Sequence, residues 1–281
     1  MLMIIATPIG NLEDITLRAI NYLKDADIIA CEDTRSTKKL LQLLNIKSFG
    51  RLISYHDHNG ASVRPSLLLE LHRGKSVALV SDAGTPLISD PGFKLVEECH
   101  KNDIPVSAIP GPTAPILALT ISGIPTDKFT FNGFLPPSIA GSRKALVHTS
   151  ILQSTQIWFS TTSKLIAHLK TILSVYGNRQ AAVVREMTKL HEEVKNAPLK
   201  NLLSYYEKIG PPKGEIVIVT NGAREQPNEN SEAQLNLLLT EALERSSLRD
   251  AVEEVSIITS TNKKQTYQQA LKILNSKTFV K

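Results

Sequence analysis

Ser76-Val77-Ala78-Leu79-Val80-Ser81 runs without a break into Asp82-Ala83-Gly84-Thr85-Pro86-Leu87-Ile88-Ser89-Asp90-Pro91-Gly92. A short run of small and branched apolar residues, closed by a loop dense in Gly and Pro, reads as a buried strand that delivers a stiff loop. The same arrangement recurs outward from it. Met3–Thr7 leads into Pro8-Ile9-Gly10-Asn11-Leu12, and Pro105–Ile109 leads into Pro110-Gly111-Pro112-Thr113-Ala114. Asp27–Cys31 and Leu52–Tyr55 complete five expected strands. Helical stretches lie between them, one with Leu17, Ile20 and Leu23 on one face, another with the Leu40–Leu41 and Leu43–Leu44 pairs. This alternation predicts an α/β fold, a parallel sheet with helices on both faces.

Gly133-Phe134-Leu135-Pro136-Pro137 stops both helix and central strand and reads as a hinge, dividing residues 1–132 from 133–222. A second alternating block follows, with strands expected at Gln156–Phe159, Ala181–Arg185 and Glu215–Thr220 and helices near 163–175 and 198–208. The polar run Asn221–Glu232 reads as a linker. Residues 223–281 then form a small helical module, with stripes at Leu248, Ala251, Val252, Val255 and at Tyr267, Ala270, Leu271, Leu274 around a turn at Thr259–Asn262.

The chain has 281 residues, enough for about two domains. At 42% hydrophobic and 21% charged residues it has a globular composition, and Cys31 and Cys99 are too few for a disulfide framework. No membrane span or signal peptide is expected, which suits a cytoplasmic protein. The net charge of +5 is unevenly placed: residues 1–127 carry 12 Lys/Arg against 14 Asp/Glu, residues 128–222 carry 12 against 5, and residues 223–281 carry 8 against 8. A basic middle segment suits a polyanionic partner, while the neutral tail argues against a DNA binder.

Three Gly/Pro loops at the carboxyl edge of a parallel sheet predict a ligand pocket there. No G-x-G-x-x-G follows the first strand, so a standard dinucleotide site is not expected. Gly74-Lys75-Ser76 lacks the glycine of a phosphate loop, because position 69 is Leu, and it precedes a strand. His56-Asp57-His58 offers too few ligands for a metal, and none is expected.

These stretches carry a wider resemblance. Ala6-Thr7-Pro8-Ile9-Gly10-Asn11-Leu12-Glu13-Asp14-Ile15-Thr16-Leu17-Arg18-Ala19, then Cys31-Glu32-Asp33-Thr34-Arg35, then Ser81 through Gly92, are similar to one family. The likeness extends through Pro110–Ala114, Gly133–Pro137, Arg185-Glu186-Met187-Thr188-Lys189, His191-Glu192-Glu193 and Lys213-Gly214-Glu215. The chain resembles the bacterial small-subunit ribosomal RNA (cytidine 2′-O-ribose) methyltransferases of the tetrapyrrole methylase superfamily. The resemblance implies two αβα domains of the non-Rossmann type, S-adenosylmethionine (SAM) in the cleft between them, a homodimer, and methylation of a decoding-centre cytidine in small-subunit ribosomal RNA. It implies SAM contacts at Ile9, Thr85, Ile88, Thr113 and Ala114, with Met187 and Gly214 closing the cleft. Pro8, Asp82, Gly84 and Gly111 belong to the same loops. One stretch departs: the family's aromatic-Glu-Ser-Pro-His-Arg is Phe159-Ser160-Thr161-Thr162-Ser163-Lys164 here, so the family's roles there are not carried over.

A ribose hydroxyl is a poor nucleophile and needs a positioned base. Asp33, His56 and Asp57 are the candidates by motif, with helix capping an equal reading for Asp33. Arg35 reads as a phosphate or carboxylate clamp, and Lys38, Lys164, Arg185 and Lys189 as contacts to an RNA backbone. Rival readings are a tetrapyrrole or corrin ring methylase, and an RNA-binding protein that holds SAM without turnover.

Overall fold

The computed structural model describes residues 1–48, 50–223, 229–259 and 261–278. Strands β1 (Leu2–Ile5), β2 (Ile28–Cys31), β3 (Arg51–Ser54), β4 (Val77–Val80) and β5 (Val106–Ile109) form a sheet in the order β3-β2-β4-β1-β5. Every pairing is parallel, with Leu2 opposite Val77 on one side and Val106 on the other. The helices are α1 (Leu17–Asp25), α2 (Thr34–Leu43), α3 (Gly60–His72), α4 (Phe93–Lys101) and α5 (Ala114–Ile121).

Strand alternation sorts the side chains between two faces. Leu2, Ile4, Ile28, Val77 and Leu79 pack against Leu67 and Leu71 of α3 and Leu95 and Cys99 of α4. Ile5, Ile29, Cys31, Ala78 and Val80 pack against Ala19 and Leu23 of α1 and Leu41 of α2. Helices therefore cover both faces, as the sequence predicts.

The second sheet contains β6 (Phe129–Phe134), β7 (Thr155–Thr161), β8 (Gln180–Arg185), β9 (Glu193–Pro198) and β10 (Glu215–Thr220), in the order β6-β7-β10-β8-β9. Only β6 and β7 are parallel; the other neighbours run antiparallel. Helices α6 (Ile139–Thr149), α7 (Leu165–Tyr176) and α8 (Leu199–Ile209) cover one face around Trp158, Leu165, Leu169, Leu202 and Tyr206. The other face packs against α5, through Ala118 and Leu119, and against Ile9 from the first strand-end loop. A helix that follows the first sheet in sequence thus caps the second.

Gly133 and Phe134, expected in a hinge, are the last residues of β6. A break at 132/133 therefore falls inside a strand, and the path from α5 to the second sheet runs through residues 122–128. Residues 1–223 make one compact unit that carries both sheets.

Helices α9 (Glu229–Arg245), α10 (Leu248–Thr259) and α11 (Lys263–Thr278) make a separate unit cored by Leu239, Ala242, Ala251, Val252, Val255 and Ala270. Of the expected linker, residues 224–228 lie outside the described residues, and Glu229 already begins α9. In α11 the apolar stripe is only partly buried, since Tyr267 and Leu271 remain exposed. Ser260, within the expected turn, lies outside the described residues.

Candidate active site

Because β4, β1 and β5 are neighbours, their three Gly/Pro loops leave the sheet side by side. They are stitched together. Thr7 and Gly84 exchange both backbone hydrogen bonds, at 2.9 and 3.0 Å. The Thr7 hydroxyl donates to the Ser81 carbonyl at 3.2 Å, and the Thr85 hydroxyl donates to the Pro112 carbonyl at 2.9 Å. Gly84 is needed at φ +82°, where a side chain would be strained and would press on Ile9 at 3.3 Å.

Beyond these loops lies a cavity of about 640 Å³, within the range of small-molecule sites. Ile9, Asp82, Gly84, Thr85, Ile88, Asp90, Thr113 and Ala114 line it from the first sheet. Phe134, Phe159 through Ser163, Met187 and Gly214 through Val217 line it from the second.

Two lining hydrophobes are each flanked by strained backbone. Leu87 (φ 73°) and Ser89 (φ 67°) flank Ile88, while Glu186 (φ 49°) and Thr188 (φ 66°) flank Met187. Left-handed non-glycine residues cost of order 1–3 kcal/mol each and cluster where a ligand is clamped. Here they hold two apolar side chains in one cavity from opposite sheets.

The walls are apolar, and the charged side chains among the lining residues are Asp82, Asp90 and Glu215; none of the lining residues is Lys, Arg or His. Asp82 accepts the backbone N–H of Asp33 at 3.2 Å. Glu215 is largely exposed and pairs with Lys189 at 3.1 Å. Burial, then the nearby Glu32 and Asp82 carboxylates, push Asp90 up to about 6, against a lowering contribution from the Ser81 hydroxyl. Glu32 is raised as well, by burial first and then by Asp82. A carboxylate-bearing apolar cavity suits a cationic ligand with an apolar body. This donor set fits the sulfonium and adenine of SAM.

Of the residues assigned to SAM from the sequence, Ile9, Asp82, Gly84, Thr85, Ile88, Thr113, Ala114, Met187 and Gly214 line this cavity, whereas Pro8 and Gly111 do not. Asp33, His56 and Asp57 are also outside the lining. Asp33 instead caps α2 by accepting the Arg35 N–H at 2.8 Å, and its carboxylate grips the Arg35 guanidinium at 2.8 Å. Those hydrogen bonds hold Asp33 down at about 2, too acidic for a base at neutral pH. His56 and Asp57 begin a turn closed by Asn59, which accepts the His56 N–H at 2.8 Å and donates to the Ser54 carbonyl at 2.9 Å. Among the described residues no group of three or more His, Cys, Asp or Glu is placed to hold a metal ion.

The expected RNA contacts divide into two kinds. Arg185 is held by Glu193 at 2.8 Å, and Lys189 by Glu186 at 2.9 Å and by Glu215. Lys38 is exposed and Arg35 keeps most of its surface despite its partner, while Lys164 is half-buried outside the cavity. The chain's variant stretch turns out to be cavity wall: Thr162 donates to the Gly214 carbonyl at 3.0 Å, and Ser160 is bonded to His168 Nδ1 at 2.8 Å.

Asp90, Ser89, Phe134, the 159–163 wall and Glu215–Val217 went unassigned in the sequence reading. Asp90 stood in the quoted loop, and only its burial beside Glu32 sets it apart. No helix among the described residues is long and apolar enough to cross a membrane.

The family model for tetrapyrrole (corrin/porphyrin) methylases matches residues 1–203. A "Ribosomal RNA small subunit methyltransferase I" of Mesorhizobium japonicum is 41% identical over 273 residues, 97% of this chain and 92% of the relative. A protein of the same name from Escherichia coli O157:H7 is 40% identical, covering 96% of this chain and 94% of its own. Among solved structures, a diphthine synthase superposes with a TM-score of 0.58 at 16% identity, over 79% of this chain and 89% of its own. A uroporphyrin-III C-methyltransferase from Thermus thermophilus, complexed with S-adenosylhomocysteine, superposes with a TM-score of 0.53 at 19% identity, over 78% of this chain and 96% of its own.

Proposed function

The chain belongs to the tetrapyrrole methylase family, with the ribosomal RNA small subunit methyltransferases I, and from that premise we propose that it methylates a cytidine ribose 2′-hydroxyl in the decoding centre of small-subunit ribosomal RNA. SAM is the methyl donor and supplies an electrophilic methyl on a sulfonium. The observation that carries the reading is the cavity itself: signature loops from one sheet and strand ends from the other enclose apolar walls with carboxylates and no cationic side chain.

Ile9, Ile88, Phe159 and Met187 offer apolar surface to an adenosine. Thr85 fixes the spacing of two loops through Pro112, and the carboxylates favour a cation. Holding donor and acceptor in line is the main task, worth up to roughly 7–11 kcal/mol in favourable cases. Loops pinned by the Thr7–Gly84 and Thr85–Pro112 bonds suit that task.

The basic segment 128–222 attracts the RNA backbone, with Lys164 there and Arg35 and Lys38 from the first half as contacts. In this reading the first sheet with its helices and the second sheet with its helices, joined through residues 122–128, are the two lobes of the cleft, and the chain acts as a cytoplasmic homodimer. Purified protein given SAM and small ribosomal subunits, free small-subunit RNA, or ring precursors tests the assignment. Methyl on a cytidine ribose supports it, and transfer to the ring precursors alone overturns it.

A further inference from the structure

The three candidate bases legible in the sequence lie outside the cavity, so the acceptor proton needs another destination. Among the lining side chains the titratable ones are Asp82, Asp90 and Glu215. Asp82 is exposed and occupied by the Asp33 N–H, and Glu215 is exposed and ion-paired with Lys189. Asp90 is half-buried in the wall.

We propose that Asp90 is the general base of the methyl transfer. This rests on the ribose-methylation reading above. The Asp90 carboxylate takes the proton from the ribose 2′-hydroxyl as the oxygen–methyl bond forms. The methyl–sulfur bond breaks with its electron pair going to sulfur, and the carboxylic acid later gives its proton to water. No other reactant is required.

Placement supports the assignment. Asp90 lies between Ser89, held at φ 67°, and Pro91, with Gly92 at φ 138° turning the chain into α4. A residue before proline is restricted to extended backbone, so this carboxylate sits on one of the stiffest points of the loop. The loop also carries Gly84, Thr85 and Ile88, so base and donor site are fixed to one frame. The charged groups facing Asp90 are the Glu32 and Asp82 carboxylates, which with burial bring it near neutral pH, where a general base is most effective.

The test is single-turnover methyl transfer by the full chain against pH, for wild type, Asp90→Asn and Asp90→Glu, with S-adenosylhomocysteine binding measured by calorimetry on the same preparations. Asp90→Asn is expected to lose about 10²–10⁴-fold in rate while its S-adenosylhomocysteine affinity stays within about threefold, since the exchange removes one charge without changing shape. The wild-type rate should fall below a midpoint near pH 6, and Asp90→Glu should keep that limb at a reduced rate. An Asp90→Asn protein that methylates within a few-fold of wild type, or keeps the acid limb, overturns the assignment. If Asp90→Asn also fails to bind S-adenosylhomocysteine, Asp90→Glu decides: loss of the limb overturns the assignment and retention supports it. Wild type that methylates no ribose at all overturns the underlying reading, a different result from an active Asp90→Asn.

Discussion

Removing the Asp90 charge should stabilise the folded protein, and by an amount that depends on pH. Asp90 is raised to about 6 from the ordinary aspartate value of 3.8. A carboxyl raised on folding contributes stability that is complete below its unfolded value and is lost as pH rises through its folded value. Two pKa units at about 1.4 kcal/mol each set an upper figure of about 3 kcal/mol. Water at the cleft mouth screens part of this, leaving about 1–2 kcal/mol. Asp90→Asn carries no titrating group there, so its advantage over wild type should appear between pH 4 and 6 and be complete at pH 8. For a unit of this size that corresponds to a rise in Tm of about 2–8 °C. Thermal unfolding of both proteins from pH 4.5 to 8, without ligand, measures it. Equal Tm values at pH 8, or a gap independent of pH, would refute the argument that the Asp90 charge is poorly placed for stability. A stabilising substitution that abolishes turnover is the expected signature of a site built for function.

Further outcomes follow from the cleft and its surroundings. Gly214→Ala, at φ 110° with its new methyl driven into the Glu186 side chain, should cost more than about 1 kcal/mol and weaken S-adenosylhomocysteine binding, as unfolding and calorimetry would show. Thr85→Val leaves the Pro112 carbonyl without its partner and should lower that affinity about fivefold, near 1 kcal/mol. Lys38→Ala should weaken RNA binding at every salt concentration and reduce the slope of log affinity against log salt by about one. Arg185→Ala should instead lower Tm, because that guanidinium holds Glu193 and the Lys213 carbonyl.

The first sheet was legible because its inner strands are buried on both sides, so Val77–Val80 and Ile28–Cys31 read as unbroken apolar runs. The second sheet was read in part. Its inner strands, β7, β8 and β10, follow the same rule, but β6 and β9 are edge strands. Glu193-Val194-Lys195-Asn196-Ala197-Pro198 alternates exposure and ends in proline, and β6 is interrupted by an irregular register between Phe131 and Phe134. Both therefore resemble loops in sequence.

The site divides in the same way. Gly and Pro mark the three loops of the first sheet because each loop needs special backbone geometry. The opposing wall, Phe159–Ser163 and Glu215–Val217, consists of ordinary strand ends that only the β7–β10 pairing brings together. The base candidates divide for a related reason: Asp33 has the motif, and its carboxylate is engaged by Arg35 and the α2 cap, while the burial of Asp90 depends on tertiary packing.

Ribose methylation of small-subunit RNA, mapped by mass spectrometry in cells lacking this gene and in the same cells with it restored, tests the central claim most directly. Loss and recovery of a single methyl on the ribose of a decoding-centre cytidine is the predicted result. An unchanged methylation map would contradict it.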